Sequence, residues 1–493
     1  MRFIVIGFGS DWQKDAVVRA VDEADGEIVW WNLAESKWRQ IVRSKWPNAF
    51  LGSAADMGSF SGCKNVSLDE VIEASKGLEA ILWPSFFKAN NKFKFHRLGH
   101  DAHFCFYSQV GIALSILETY RPDVIIFGNV PTGFVPQAIY HLAKRKGIRT
   151  KLLKRMLIPD FDECSVLIES IEDGAVNIKN LYQFHLNNKN LGELELLPPV
   201  QRHLDRMWNG TTMQDQVPVY SKWLKYSDNG KSKLNAPSVK LFRSLINSVA
   251  FRVGLKKQGL GGADSLTSAF QRRRLYRSYQ SKVSLFSTGE KYIFVPLHYQ
   301  PEASTSPNGG IFAHQTALID MLSKAVPDDW VIYVKEQPSQ LLYYYPNDIF
   351  RTDKFYKQIT DYPNVKLLSV LEYSRPVIEK AEAVATVTGT AGWEAINLGV
   401  PCLSFGSPWY QYCDGVVQIR NRDDLIKAIS NLSSFTPDRN KILIFLKCLQ
   451  KYCMLGGYRS DANFTGDEYD RKVQQLQSIM LRGCIEEDGV LTC

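Results

Sequence analysis

Strands and amphipathic helices alternate along the first third of the chain. Arg2–Gly7 is a short apolar run that reads as a strand, Asp11–Ala24 has helical periodicity, and Glu27–Trp31 and Leu78–Trp83 read as further strands. Apolar positions recur at helical spacing over Ser108–Thr119 and stop at Arg121-Pro122. The next run, Asp123–Phe127, is almost wholly apolar, as expected of a strand buried on both faces of a parallel sheet. Gln137–Lys146 resumes the helical pattern, Gly147 ends it, and Arg149–Leu153 predicts another strand. Such alternation argues for a parallel α/β layer.

From Ser165 to Glu290 the alternation gives way to longer helical patterns broken by polar stretches at Ser227–Ser232 and Gly259–Asp264. It restarts with a strand at Tyr292–Leu297, a helix from Ile311 to Lys324, and a strand at Trp330–Val334. A helix at Asp353–Thr360, a strand at Val365–Leu368 and a helix at Ser374–Ala381 follow. A β-branched run through Val384, Thr386, Val387 and Thr388 then breaks at Gly389, a helix opens at Thr390, and Gly399-Val400-Pro401 turns into one more strand. The pattern divides the chain into a Rossmann-like domain over 1–165, a helical basic insertion over 166–285, a second Rossmann-like domain over 286–465 and a C-terminal helix or tail over 466–493. The fold class expected is α/β, with two Rossmann-like domains in a GT-B arrangement and the insertion between them.

A length of 493 residues exceeds what one core usually serves. No window of 18 uninterrupted apolar residues occurs, and the apolar start is too short and too strand-like for a signal peptide, so a cytoplasmic location is expected. Nine cysteines without a Cys-x-x-Cys pair argue against a disulfide framework or a zinc ribbon. Charge changes the picture more. Ser221–Lys282 holds 14 Lys/Arg against 2 acidic residues, which leaves the rest of the chain at −4 beside a total of +8. A block of this kind suits phosphate-rich partners. Trp223, Leu224, Tyr226, Phe242 and Leu245 interleave with it, which fits basic amphipathic helices on an anionic membrane surface; a solvated helical face is the plainer reading. No nucleic-acid-binding motif accompanies the charge, so nucleic acid is not expected as a partner.

Three loops of the second half each follow a parallel strand and should lie side by side at the sheet's C-terminal edge. The first is His298-Tyr299-Gln300-Pro301-Glu302, leading to Asn308-Gly309-Gly310; the second is Lys335-Glu336-Gln337-Pro338; the third is Thr388–Glu394. A small-residue turn at a helix start, with Thr388, Gly389, Thr390 and Gly392, favours a phosphate through unpaired N–H groups and the positive helix end. Lys335 adds charge, and Glu394 or Glu336 offers a carboxylate to a ribose diol. Each has a bland counterpart. His298 at a strand end can be a structural histidine, Glu336 a surface ion pair with its neighbour, Glu394 a favourable charge on a helix dipole, and the whole unit an ordinary βα turn. In the first half, Asn129, Pro131 and Thr132 fall on the working edge of the sheet, and Asp160, with Asp162 and Glu163, is a candidate base or nucleophile. His96, His100, Asp101 and His103 match no zinc-helix spacing, so no metal site is expected.

At the three loops the sequence resembles the bacterial capsule polysaccharide biosynthesis family, which includes β-Kdo transferases. The residues that carry the likeness are Val295–Glu302, Tyr333–Pro338 and Thr386–Glu394, with Ser404-Phe405-Gly406 after them and, less specifically, Pro122–Phe127 and Asn129-Val130-Pro131. The resemblance implies a metal-independent GT-B glycosyltransferase, with the nucleotide sugar in the C-terminal domain and a surface-polysaccharide or glycolipid acceptor at the N-terminal one. It implies donor contacts from Gln337-Pro338 and from Thr388 and Thr390 as a hydroxyl pair; the loop inventory adds Gly309, Gly310, Lys335, Gly389, Gly392 and Glu394. His298, Glu302, Glu336 and Asp160 are then the candidates for catalysis. The donor would be a CMP-sugar, Kdo-like, with no further cofactor; Gln337-Pro338 stands where His-Pro is usual in related CMP-sugar transferases. Other readings remain: a CDP-alditol phosphotransferase or sugar-nucleotide epimerase on a similar fold, or a non-catalytic scaffold that binds membrane or glycan. A transferase would work in the cytoplasm, peripherally at the inner face of the membrane.

Overall fold

The computed structural model describes residues 1–33, 35–52, 66–89, 99–156, 164–188, 195–209, 274–300, 302, 304–342, 351–454 and 464–485. Within them the chain forms two six-stranded sheets. The first contains β1 (Arg2–Ile6), β2 (Glu27–Trp31), β3 (Phe50–Leu51), β4 (Val124–Phe127), β5 (Arg149–Met156) and β6 (Cys164–Ile168), in the order β3-β2-β1-β4-β5-β6. All its pairs are parallel except β5 with β6. The second contains β7 (Tyr292–Pro296), β8 (Val331–Lys335), β9 (Val365–Leu368), β10 (Ala383–Thr386), β11 (Cys402–Ser404) and β12 (Val416–Gln418). Its order is β12-β11-β10-β7-β8-β9, parallel throughout. In both sheets the order reverses beside the first strand, at β1/β4 and at β7/β10, which is where ligands meet doubly wound sheets. Two such sheets in one chain give the two-domain, GT-B-like α/β fold.

Strands β4 and β10 are buried along their whole length, which is why they read as runs without polar alternation. Gly147 takes φ +70°, a conformation that glycine adopts without strain, just after helix Phe134–Arg145 ends. Leu78–Trp83, expected as a strand, is instead helical: the helix Glu79–Ala89 follows Leu78, and Leu78, Leu82 and Phe86, four residues apart, face one core. The helix expected at Ser108–Thr119 extends back to Gly99 and on to Tyr120. Strand β6 runs across the boundary expected at residue 165, because it closes the first sheet as an antiparallel edge.

One hydrophobic core joins the two sheets: Ile4, Phe127 and Met156 of the first share it with Trp393, Cys402, Tyr410 and Phe445 of the second half. The final helix, Asp467–Ile485, returns to the first sheet, where Val473, Leu476 and Met480 pack with Val17 and Val21 of helix Asp11–Glu23. Of the basic stretch 221–282, residues 221–273 lie outside the described residues. The short helix over 274–280 docks Leu275 and Tyr279 in the second core and pairs Arg274 Nε with Asp353 at 2.9 Å. Among the described residues, no helix is long and apolar enough to cross a membrane, and no group of three or more His, Cys, Asp or Glu side chains is placed to hold a metal ion.

Candidate functional site

Strand order β10-β7-β8 sets the three candidate loops next to one another at the C-terminal edge of the second sheet. Buried glutamines fix the first loop. The His298 N–H donates to Gln315 Oε1 at 2.8 Å, and Gln340 accepts the Gln300 N–H at 2.6 Å while its own amide donates to the Gln300 carbonyl at 3.1 Å. The imidazole Nε2 of His298 accepts the Thr388 N–H at 3.2 Å and lies 3.1 Å from Thr386 Oγ1, which in turn accepts the Gly389 N–H at 3.1 Å. An accepting Nε2 requires that the ring be neutral with its proton on Nδ1. Burial, with the Arg351 charge added, lowers the pKa of His298 to about 4, in agreement. His298 thus shapes the Thr386–Gly389 turn through the Thr388 N–H and Thr386 Oγ1.

Glu336 is enclosed as well. It is 0 % exposed and pairs not with Lys335 but with Arg351, whose Nε lies 2.8 Å from Oε2. The same oxygen accepts the Tyr356 hydroxyl at 2.7 Å, Oε1 accepts the Gln337 N–H at 2.9 Å, and the Glu336 N–H donates to the Tyr279 hydroxyl at 3.1 Å. A carboxylate so enclosed braces its loop. Arg351 carries the brace onward, donating from Nη2 to the His298 carbonyl at 3.0 Å.

Lys335 and Glu394 remain as the charged pair of the site. The Lys335 ammonium is buried at the end of β8 and donates to Ser374 Oγ at 3.0 Å. Burial lowers its pKa to about 8, against the opposing charges of Glu372 and Glu394. Glu394, half-buried, is raised by desolvation to about 7, with Lys335 and Arg375 pulling the other way. Two groups that titrate near neutrality can take or give a proton, or balance an incoming anion, at little cost.

Beside them, helix Thr390–Asn397 begins at Gly389, which supplies no side-chain cap; its carbonyl accepts the Gly392 N–H at 3.1 Å. Thr390 is exposed at this end, whereas the Thr388 hydroxyl is tied to the Ser304 carbonyl at 2.6 Å. The Tyr410 hydroxyl donates to the Gly389 carbonyl and secures the turn from below. Two of the glycines expected to admit a phosphate are closely packed where a Cβ would stand. A Cβ on Gly392 would collide with the Tyr410 hydroxyl and lie 2.5 Å from Cys402 Sγ. One on Gly309 would lie 2.5 Å from Val387 Cγ1 and 2.7 Å from the Thr305 carbonyl. Gly310 has open space around it and φ +52°. Glu302 is half-buried in the first loop; Gln337 is half-buried where Pro338 opens the helix Pro338–Leu342. Asp160, Asp162, Glu163 and His96 lie outside the described residues.

Gln315, Gln340, Arg351, Tyr356 and Tyr410 were not singled out from the sequence. Gln315 had a visible signal: it shares the apolar face of its helix with Leu318, Ile319 and Leu322, where a buried amide needs a partner. No protein-family model matches the chain, and no curated protein matches it. Similarities to solved structures are remote. The chain is similar to a Thermosulfurimonas dismutans KpsC β-Kdo 2,7 transferase at 10 % identity and TM-score 0.33, with 97 % of this chain and 99 % of that one covered. It is similar to UDP-GlcNAc 2-epimerase from Methanocaldococcus jannaschii at 11 % identity and TM-score 0.25, covering 92 % and 99 %. It is likewise similar to UDP-GlcNAc 2-epimerase from Neisseria meningitidis bound to UDP-GlcNAc, at 12 % identity and TM-score 0.23, covering 92 % and 100 %.

Proposed function

We propose that the protein is a glycosyltransferase that moves a sugar from a nucleotide donor, in the first instance a CMP-sugar of Kdo-like type, to a glycan or glycolipid acceptor. The observation that supports this best is the start of helix Thr390–Asn397, which carries no side-chain cap, with Lys335 and Glu394 beside it. The first amides and the Thr390 hydroxyl would hold the donor phosphate. Lys335 would offset the charge that develops on the leaving nucleotide, a role that fixed donors and cations fill without a metal. Glu394 would accept hydrogen bonds from the ribose diol or take the proton of the acceptor hydroxyl. The acceptor would approach from the first sheet, whose working edge includes the Gly128–Gly133 loop, with Asp160 as the candidate base on that side. The basic stretch 221–282 would bring the enzyme to an anionic membrane surface from the cytoplasm.

A thermal-shift panel of CMP, CDP, UDP and GDP tests the donor site, since a ligand at a hundred times its dissociation constant stabilises by about 2.7 kcal/mol. Stabilisation by one nucleotide, lost in Thr390→Glu, supports the reading and names the donor class. No shift with any nucleotide counts against it and favours a scaffold. Product analysis then separates transfer from its rivals: a phosphodiester product would indicate a phosphotransferase, an epimerised donor an epimerase.

A further inference from the structure

Ser407, in the loop after β11, is bonded on three sides. Its N–H donates to the Asn308 carbonyl at 2.9 Å, its hydroxyl to the Glu172 carbonyl at 3.3 Å, and its own carbonyl accepts from Lys154 Nζ at 2.5 Å. Lys154 stands on β5 and Glu172 follows β6, so both belong to the first sheet; Asn308 leads into the Gly309-Gly310 pair of the second. The adjoining Gly406 packs against the second sheet's own loops: a Cβ there would lie 2.7 Å from the Asn308 carbonyl and 2.9 Å from Thr388 Cγ2. Nearby, Gln411 Nε2 donates to the Asp173 carbonyl at 2.8 Å. The loop that borders the Thr388 turn is thus held by residues of the other sheet.

Lys154 is unusual among these ties. Its side chain is buried, and among the described residues its one hydrogen bond goes to a neutral carbonyl and no carboxylate comes within ion-pairing distance. The Glu172 carboxylate is engaged elsewhere, accepting the Tyr140 hydroxyl at 2.7 Å and the Ser170 hydroxyl at 2.8 Å. An ammonium has three N–H donors, and a buried cation without a counter-ion is costly, whereas an apolar side chain of the same size would pack there without that cost. In a low-dielectric interior the charge also acts further than it would at the surface.

We propose that Lys154 is a positioning residue of the donor site, tying the Ser407 loop, which itself bonds Asn308, to the first sheet and lending a positive charge from that sheet, so that anionic nucleotide binding and the contact between the two sheets reinforce each other. The proposal rests on the nucleotide-donor reading above. Its test compares wild type with Lys154→Met and Lys154→Arg by two measurements: amide hydrogen exchange over 304–312 and 405–412 without ligand, and titration with CMP and UDP against cytidine and uridine. The Met variant should exchange faster in both segments and bind the nucleotide about tenfold more weakly, with a smaller loss for the nucleoside; the Arg variant should restore both. Unchanged exchange and affinity in the Met variant would overturn the proposal. Equal losses for nucleotide and nucleoside without rescue by Arg would also overturn it, leaving only packing. If wild type binds no nucleotide, the donor reading fails and the donor-site role of Lys154 falls with it, while faster exchange would still show the tie between the sheets. Should the Met variant not fold, Lys154→Gln, neutral and shorter but still a donor, is read in the same way.

Discussion

At the scale of single residues, Glu394 makes the most direct claim on pH. Its carboxyl is raised from 4.5 in the unfolded chain to about 7 in the fold, so the folded state holds the proton more tightly. The stability this provides is present below about pH 4.5 and is lost as pH rises through 7. Relative to Glu394→Gln, wild type should lose about 2 kcal/mol across that window, allowing for the partial exposure of the side chain. Urea unfolding of both proteins at pH 4.5 and pH 8 checks this, and parallel pH dependences would mean that the carboxyl is not perturbed. The same substitution should cut transfer while leaving the fold intact. Glu336 and Arg351 make the opposite kind of claim. Glu336→Gln strands a buried guanidinium and should cost about 3 kcal/mol, whereas the double change to Gln and Met should recover part of the loss. A single-variant cost under about 1 kcal/mol would show that the pair is solvated. Lys335 and Glu394 could be picked from the sequence because each sits at a strand end or helix start. The true partner of Glu336 could not: Arg351 lies fifteen residues away, and nothing in the spacing links them.

At the scale of elements, helix Thr390–Asn397 separates two roles that small residues can play. Thr390→Glu places a carboxylate at the positive end of the helix, which should stabilise the protein by a few tenths of a kcal/mol while repelling an anionic ligand. Stability and nucleotide affinity then move in opposite directions, which thermal unfolding and titration can read on one sample. A simple packing site would move neither binding nor its salt dependence. Gly392→Ala acts two residues further on, where a Cβ meets the Tyr410 hydroxyl and Cys402 Sγ, and should cost about 2 kcal/mol through overpacking. Much at this scale was legible. Helix Asp353–Thr360 and strand Val365–Leu368 have the bounds their patterns predict, because a side-chain cap from Thr352 starts one and a short apolar run makes up the other. Leu78–Trp83 misled because a short apolar run fits a buried strand and a buried helix equally, and only the recurrence at Leu82 and Phe86 decides between them. Strand β6 was hidden for another reason: an antiparallel edge is recruited by its neighbour β5 and carries a polar Ser165 within it.

For the whole molecule, the alternation of strand and helix foretold two α/β halves, but not how they are fastened. Nothing local in Asp467–Ile485 says that this helix belongs on the first sheet, since any amphipathic stripe looks for an apolar face and the sequence does not name which. The fastening has an energetic consequence. Phe445 is buried in a core that contains Phe127 and Met156 of the first sheet and Trp393 and Tyr410 of the second half, and its ring packs edge-on against Tyr182 at 5.5 Å. Separating the sheets would expose that core to water, so neither half gains by unfolding alone. The expected outcome is one cooperative calorimetric transition, with calorimetric and van't Hoff enthalpies in agreement. Phe445→Ala should lower it by about 3–4 kcal/mol without splitting it. Two resolved transitions in wild type would mean that the shared core contributes less than the separate cores of the two halves. The Ser407 ties would then act between two independently stable bodies and not within one.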